Sequence, residues 1–178
     1  MSVYFDQPPL LIRSLTEDDV LPLTEAEIAQ GWHSTPDKLN KRIRDEKDGK
    51  SISFCAVWNG IPVGYVCLYF HRPAGPFADT PYPEIVDFNV LKAFRNRGIG
   101  SHLMDCAEAE AAARSPVVTI GVGLHSGYGA AQRMYVRRGY IPDGSGVWYE
   151  DRVCPPYTMC ENGDALVLYL SKNFKKES

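Results

Sequence analysis

The chain has 178 residues, a formal net charge of −3 and 44% hydrophobic residues, enough to bury a sizeable core and within the range of a single domain. The slight acidic balance and the lack of a basic stripe exclude the electrostatic footprint of a nucleic-acid binder. No run of about 18 apolar residues occurs, which excludes a membrane-spanning helix. Residues 1–10 lack a cationic start and a long apolar run, so no secretory signal is expected. Five cysteines, an odd number scattered through predicted elements, fit reduced thiols in a cytoplasmic protein.

In chain order, residues 10–13 read as a first strand. Thr16-Glu17-Asp18-Asp19 resembles a capping box, and Pro22 is expected to break or kink the helix that it opens. A second start at Thr24-Glu25-Ala26-Glu27 leads towards Gln30. Residues 36–47 read as another helix, with Leu39 and Ile43 on its apolar face. Residues 51–58 and 61–70 form a hairpin across Asn59-Gly60, a strong signal for a tight turn. Residues 72–83 carry four prolines and one glycine and read as a loop at one edge of a site. Residues 84–90 are the next strand, 98–114 a helix, and 117–122 a buried apolar strand. A short helix ends at Gly139, a C-terminal cap, with Arg137 and Arg138 complementing its dipole. Residues 144–149 and 165–170 read as closing strands joined by an unusually long connection at 150–164. Residues 171–178 read as a frayed polar tail. This order predicts a mixed α/β sheet with helices on both faces and one domain over residues 1–178.

Arg95-Asn96-Arg97-Gly98-Ile99-Gly100 joins the strand at 84–90 to its helix. Glycines there let a bulky anion approach the backbone, and the helix N-terminus turns its amides and dipole towards that anion. Arg95 and Arg97 add positive charge, so the hexapeptide reads as a pyrophosphate cradle. Its glycine spacing is not the dinucleotide-binding fingerprint, and no Gly-Lys-Ser/Thr follows as in a phosphate loop. The bland alternative is ordinary turn chemistry.

Downstream lies Ala130-Ala131-Gln132-Arg133-Met134-Tyr135-Val136-Arg137-Arg138-Gly139-Tyr140. The succession strand, R-x-x-G-x-G, helix, strand, A-x-x-x-Y-x-x-x-G-Y resembles the GNAT superfamily of acyl-CoA-dependent N-acyltransferases, most strongly over residues 84–141. The resemblance implies a mostly antiparallel central sheet of about six to seven strands, splayed at the cofactor site. It implies acetyl-CoA as donor and coenzyme A as product. The cofactor-binding residues would be Val90, Leu91, Arg95, Asn96, Arg97, Gly98, Ile99, Gly100, Ser101, Tyr128, Ala131 and Tyr135. In the family, backbone N–H groups matching Val90 and Leu91 pair with the pantetheine arm and polarise the thioester carbonyl. Tyr135 matches the tyrosine that protonates the leaving thiolate. An asparagine often stands seven residues before it; this chain has Tyr128 there, which puts that contact in doubt.

Amine attack needs the neutral amine, and a lysine-like group of pKa ~10.4 is almost wholly protonated at neutral pH, so a base contributes ~10²–10⁴-fold. Glu84 is the first candidate: it opens the strand leading into the cradle and matches the base of the superfamily's histone-acetylating branch. The alternative for Glu84 is a solvated glutamate following Pro83. Asp87 is the second candidate, with Asn89 beside it on the same strand. Strict alternation would put both on the face opposite Glu84, but a bulge, usual here in the family, would undo that parity. Asp87 also reads as a structural carboxylate.

Cys154 and Cys160 lack a second pair of ligands for zinc, so no metal is expected. The acceptor, a small-molecule or peptide amine, would be shaped by residues 23–36, 72–83 and 150–164. Glu150, Asp151, Glu161 and Asp164 hint at a cationic one, and Trp32, Trp148 and Tyr149 are candidate pocket aromatics. The expected activity is N-acetyl transfer by direct attack in a ternary complex, with no nucleic-acid or membrane partner and the oligomeric state open, a homodimer included. A non-catalytic acyl-CoA-binding regulatory domain is the competing reading, and a ligand-free interaction domain a third.

Overall fold

A computed structural model describes residues 1–174. It has nine strands and four α-helices, an α/β fold with mostly antiparallel pairing and more strands than the six to seven expected. The chain packs as two compact units, Met1–Tyr69 with Ile85–Glu110, and Phe70–Glu84 with Ala111–Ser178. Residues 175–178 of the expected tail lie outside the described residues. Among the described residues no helix is long and apolar enough to cross a membrane.

In the first unit the strands run in the order β1 (Val3–Gln7), β2 (Leu10–Ser14), β3 (Ser51–Trp58), β4 (Ile61–Tyr69) and β5 (Glu84–Val90), whose first residue, Glu84, is counted with the second unit. β1 is an addition to the sequence reading. Its burial is partial and irregular, so no clean alternation marks it in the sequence. The β3–β4 hairpin forms as expected: Asn59 (φ 49°) and Gly60 (φ 81°) both take the left-handed conformation that a two-residue hairpin turn needs. Antiparallel pairs run from Trp58 with Ile61 to Ser51 with Tyr69.

Helix α1 (Glu17–Ala29) passes through Pro22 without ending. Leu21 and Pro22 are exposed while Val20, Leu23, Thr24 and Glu27 face inward, so the carbonyl deprived of a partner by proline lies towards water. The capping interaction at its start is present: the Thr16 N–H and hydroxyl both donate to Asp19 Oδ2, at 2.9 and 2.8 Å. Arg13 holds the same carboxylate with two N–H groups, at 2.6 and 2.7 Å. Helix α2 (Pro36–Lys47) has proline in its first turn and runs to Lys47, as its sequence predicts. Leu23 of α1 and Leu39 and Ile43 of α2 join Leu15, Val20, Cys55, Val57 and Tyr65 in the core of this unit. Helix α3 (Ile99–Ala112) follows the glycine-containing turn.

The second unit orders its strands β6 (Val117–Gly123), β9 (Leu166–Asn173), β7 (Ile141–Tyr149) and β8 (Arg152–Val153). β6 and β9 pair antiparallel from Val117 with Asn173 to Gly123 with Val167, so part of the expected frayed tail is strand. β7 starts earlier than expected, and its register against β9 shifts between Pro142 and Val147. Gly144 (φ 84°) and Gly146 (φ 88°) lie inside that shift. β8 has only two residues, too few to leave a periodic signature. Helix α4 (Gly129–Arg137) ends at Gly139 (φ 88°). Cys154 and Cys160 are joined in a disulfide, which corrects the expectation of reduced thiols throughout. Tyr157 takes a left-handed φ of 67° and the Thr158 N–H bonds Pro155 O at 3.3 Å, folding the segment back on itself. Cys55, Cys67 and Cys106 are free.

Candidate active site

The turn between β5 and α3 has the backbone that its glycines suggest. Asn96 (φ 61°) and Gly98 (φ 80°) are both left-handed, and the His102 N–H reaches back to Gly98 O at 3.1 Å. The amides of Gly98, Ile99, Gly100 and Ser101 have no acceptor among the described residues, as the first turn of a helix dictates. A Cβ on Gly98 would meet nothing closer than His102 Cδ2 at 3.9 Å. A side chain at Gly98 would thus meet no clash beside amides that lack acceptors, and these residues fit a phosphate-bearing ligand such as the pyrophosphate of coenzyme A.

The two cradle arginines rest on aromatic faces. The Arg95 guanidinium lies 5.5 Å from the Trp32 ring centre, and its Nε donates to Val90 O at 3.2 Å. Arg97 lies 5.4 Å from Trp58 and 5.5 Å from Phe94. Lys92 bonds the segment after α1 twice, its N–H to Gln30 Oε1 and its ammonium to Gln30 O, both at 2.8 Å.

Within β5, Asp87 has φ 54°, which breaks the strict alternation of side chains along the strand. Asp87 is held by cations: Arg42 Nε bonds its Oδ2, and Lys38 Nζ stands 3.6 Å from Oδ1. Arg42 also donates to the Tyr69 hydroxyl at 2.7 Å, and that hydroxyl donates to Asp45. Asn89 joins a neighbouring network, donating to Tyr65 OH at 3.0 Å, while Tyr65 donates to the buried Glu27 at 2.8 Å. These are structural ties, and they favour the structural reading of Asp87.

Leu91 N–H already donates to Val63 O at 2.9 Å. That N–H is therefore already engaged within the sheet. β4 approaches β5 closely at Gly64, where a Cβ would come within 2.6 Å of Asn89 O.

The second unit contains Glu84, Tyr128, Ala131 and Tyr135. Glu84 is 5% exposed. Burial pushes its carboxyl up to about 7; Arg72 opposes the rise and Asp151 adds to it. Arg72 Nε lies 3.5 Å from Glu84 Oε1. Such a carboxyl is poised between acid and base near neutral pH. Tyr135 is buried on α4, its ring centre 5.8 Å from that of Tyr140. Burial, with Tyr128 as a lesser cause, raises its phenol above the ordinary value, so the hydroxyl keeps its proton near neutral pH. Ala131 lies in the first turns of α4, half-buried.

Tyr128, standing where the family often has asparagine, packs its ring on Gly123, where a Cβ would come within 3.0 Å of several ring atoms. Its hydroxyl donates to Asp164 at 2.9 Å, and His125 Nε2 contacts the same oxygen at 3.0 Å. The Gly127 N–H donates to His125 Nδ1 at 3.1 Å, which places the ring proton on Nε2. Asp164 thereby anchors the end of the long connection to the start of α4. A cleft of about 430 Å³ opens beside the disulfide, lined in part by Glu150, Arg152 and Met159 and by neither Glu84 nor Tyr135. The approach of Arg72 to Glu84 and the convergence of Tyr128 and His125 on Asp164 are pairings that the sequence reading did not find. Each pairs residues far apart in the chain, and no local pattern marks such a pairing.

The acetyltransferase (GNAT) family model matches residues 15–140, and the chain belongs to that family. A comparison with curated protein sequences finds no match. Among solved structures, the chain is similar to the Salmonella typhimurium acetyltransferase that modifies the N-terminal serine of ribosomal protein L7/L12. The TM-score is 0.71 at 13% identity, covering 98% of this chain and 100% of that one. An N-acetyltransferase from Staphylococcus aureus Mu50 gives a TM-score of 0.68 at 17% identity, with 93% and 99% covered. YncA, a putative acetyltransferase from Salmonella typhimurium solved with its cofactor acetyl-CoA, gives 0.66 at 17% identity, with 96% of each chain covered. At these identities the likeness is one of fold.

Proposed function

We propose that residues 1–178 act as one N-acetyltransferase domain that moves an acetyl group from acetyl-CoA to the amine of a small-molecule or peptide acceptor. Attack is direct, within a ternary complex. The observation that carries this reading is the row of unpartnered amides at the start of α3 beneath the left-handed Gly98, in a chain of the acetyltransferase family. The amides of residues 98–101, with Arg95 and Arg97, hold the pyrophosphate, and Val90 aligns the arm as an added strand. The amine lone pair attacks the thioester carbonyl carbon, a C–N bond forms, and the C–S bond breaks with its electron pair on sulfur. Glu84 takes the amine proton, directly or through water. Tyr135 donates a hydrogen bond to the thiolate, which is protonated to free coenzyme A.

Glu84 is favoured over Asp87 because Asp87 is held by Arg42 and Lys38, whereas Glu84 is buried with its carboxyl near the pH at which it must exchange protons. The test is thiol release from acetyl-CoA with a panel of primary amines, small and peptidic, beside calorimetric coenzyme binding. Release with at least one amine, reduced ~10²–10⁴-fold in Glu84→Gln at neutral pH and partly recovered as pH rises, is expected. Coenzyme binding without release against any amine would favour a non-catalytic acyl-CoA-binding domain instead.

A further inference from the structure

Glu84 faces three polar neighbours within its own unit. Arg72 comes from the proline-rich segment before β5, Asp151 from the turn between β7 and β8, and Tyr169 from β9. Asp143 acts on Tyr169 in turn, whose phenol is pushed up to about 12, mainly by burial and then by Glu84. Arg72 is the one cation in this set. A carboxylate 5% exposed loses most of its hydration, and an opposite charge within ion-pair distance is what restores its charged form. Arginine suits that task because it stays charged at every relevant pH.

The segment carrying Arg72 is well anchored. The Thr119 N–H and hydroxyl both donate to Pro83 O, at 2.9 and 3.1 Å. The Thr80 hydroxyl ties to Phe77 O at 2.7 Å. Gly75 (φ 93°) lets the backbone lie against the Tyr169 ring, where a Cβ would come within 3.1 Å of the hydroxyl oxygen. Phe77 and Trp148 pack edge-on around the same ring, at centroid distances of 6.5 and 5.6 Å. These contacts fix residues 75–83 of the segment that carries Arg72.

We propose that Arg72 is a positioning residue that favours the ionised form of Glu84 and orients its Oε1, so that the proline-rich segment sets the pH range in which Glu84 serves as a base. This inference rests on the reading of Glu84 as the base, but the Arg72–Glu84 coupling can be measured without activity. The experiment follows the Glu84 carboxyl by ¹³C NMR through a pH titration of the full chain, in the native protein, Arg72→Gln, Arg72→Met and Arg72→Lys. Removing the charge moves the Glu84 midpoint up by ~1–3 units, and Arg72→Lys recovers part of the shift. Arg72→Met keeps the aliphatic stem and serves if Arg72→Gln fails to fold. With an acceptor in hand, the acid limb of kcat/KM moves in the same direction while coenzyme affinity holds. An unmoved midpoint in a folded, charge-free variant overturns the proposal. Failure of the base assignment itself shows differently: the acid limb then persists in Glu84→Gln, whatever Arg72 does.

Discussion

Glu84 and Asp87 occupy the same strand and meet different surroundings, and that contrast is the ground for proposing Glu84 as the base. Asp87 lies between Arg42 and Lys38, while Glu84 is buried and faced by one cation at 3.5 Å. Tyr135 raises a related question, because a buried phenol with a raised pKa is a weaker acid than tyrosine in water. It still suits stabilisation of a developing thiolate, since a donor that keeps its proton keeps its hydrogen bond. Tyr135→Phe preserves the ring and its packing on Tyr140, so folding and coenzyme affinity should change little. Turnover should fall by about tenfold if the hydroxyl only hydrogen-bonds the thiolate, and by ~10²–10⁴-fold if it delivers the proton. Steady-state kinetics with the best amine of the panel decides, and unchanged turnover would make Tyr135 a packing residue.

At the scale of elements, the turn into α3 was the most legible part of the chain, because its backbone geometry is written in residue types that tolerate it. Gly98 (φ 80°) is such a residue. Gly98→Val forces a β-branched side chain into a left-handed backbone and fills the space over the amides. Coenzyme affinity should drop tenfold or more, about 1.4 kcal/mol, with helicity by circular dichroism retained; near-native affinity would remove the turn from the site. The β3–β4 hairpin was equally readable from Asn59-Gly60. Helix α1 was less so: Pro22 signals a break in sequence, and only the exposure of that face shows why the helix continues. β1 and β8 went unread because one is irregularly buried and the other has two residues. Arg72 beside Glu84 and Asp164 on Tyr128 could not be read at all, since neither partner carries a local pattern that points to the other.

For the whole molecule, buried carboxyls set how stability varies with pH. Asp19 is held below its ordinary 3.8 because its hydrogen bonds from Arg13 and Thr16 outweigh the opposing effect of burial, and Asp45 is also lowered, by Lys41 and Tyr69 against burial. Their contribution is present above pH 3.8 and is lost as pH falls through their folded values. Glu84 has the opposite sign. Its folded value of about 7 exceeds the ordinary 4.5, so the native state binds the extra proton between these values. Stability from Glu84 is therefore full below about pH 4.5 and is lost as pH rises through about 7, a change on the order of 3 kcal/mol. Urea unfolding of the native chain should show this decline, and Glu84→Gln should flatten it. A native chain whose midpoint holds constant over that window would contradict the burial argument.

The cation–aromatic stacking at the cradle has an optical consequence. Of the three tryptophans, Trp32 and Trp58 carry Arg95 and Arg97 over their indole faces. Trp148 instead packs edge-on against Tyr169. A guanidinium drawn towards a pyrophosphate changes the field across the indole beneath it, so two of the chain's own fluorophores stand where a bound nucleotide would announce itself. If the turn holds the coenzyme as proposed, its occupancy should change the light emitted by the protein, with no label attached and no acceptor yet in hand.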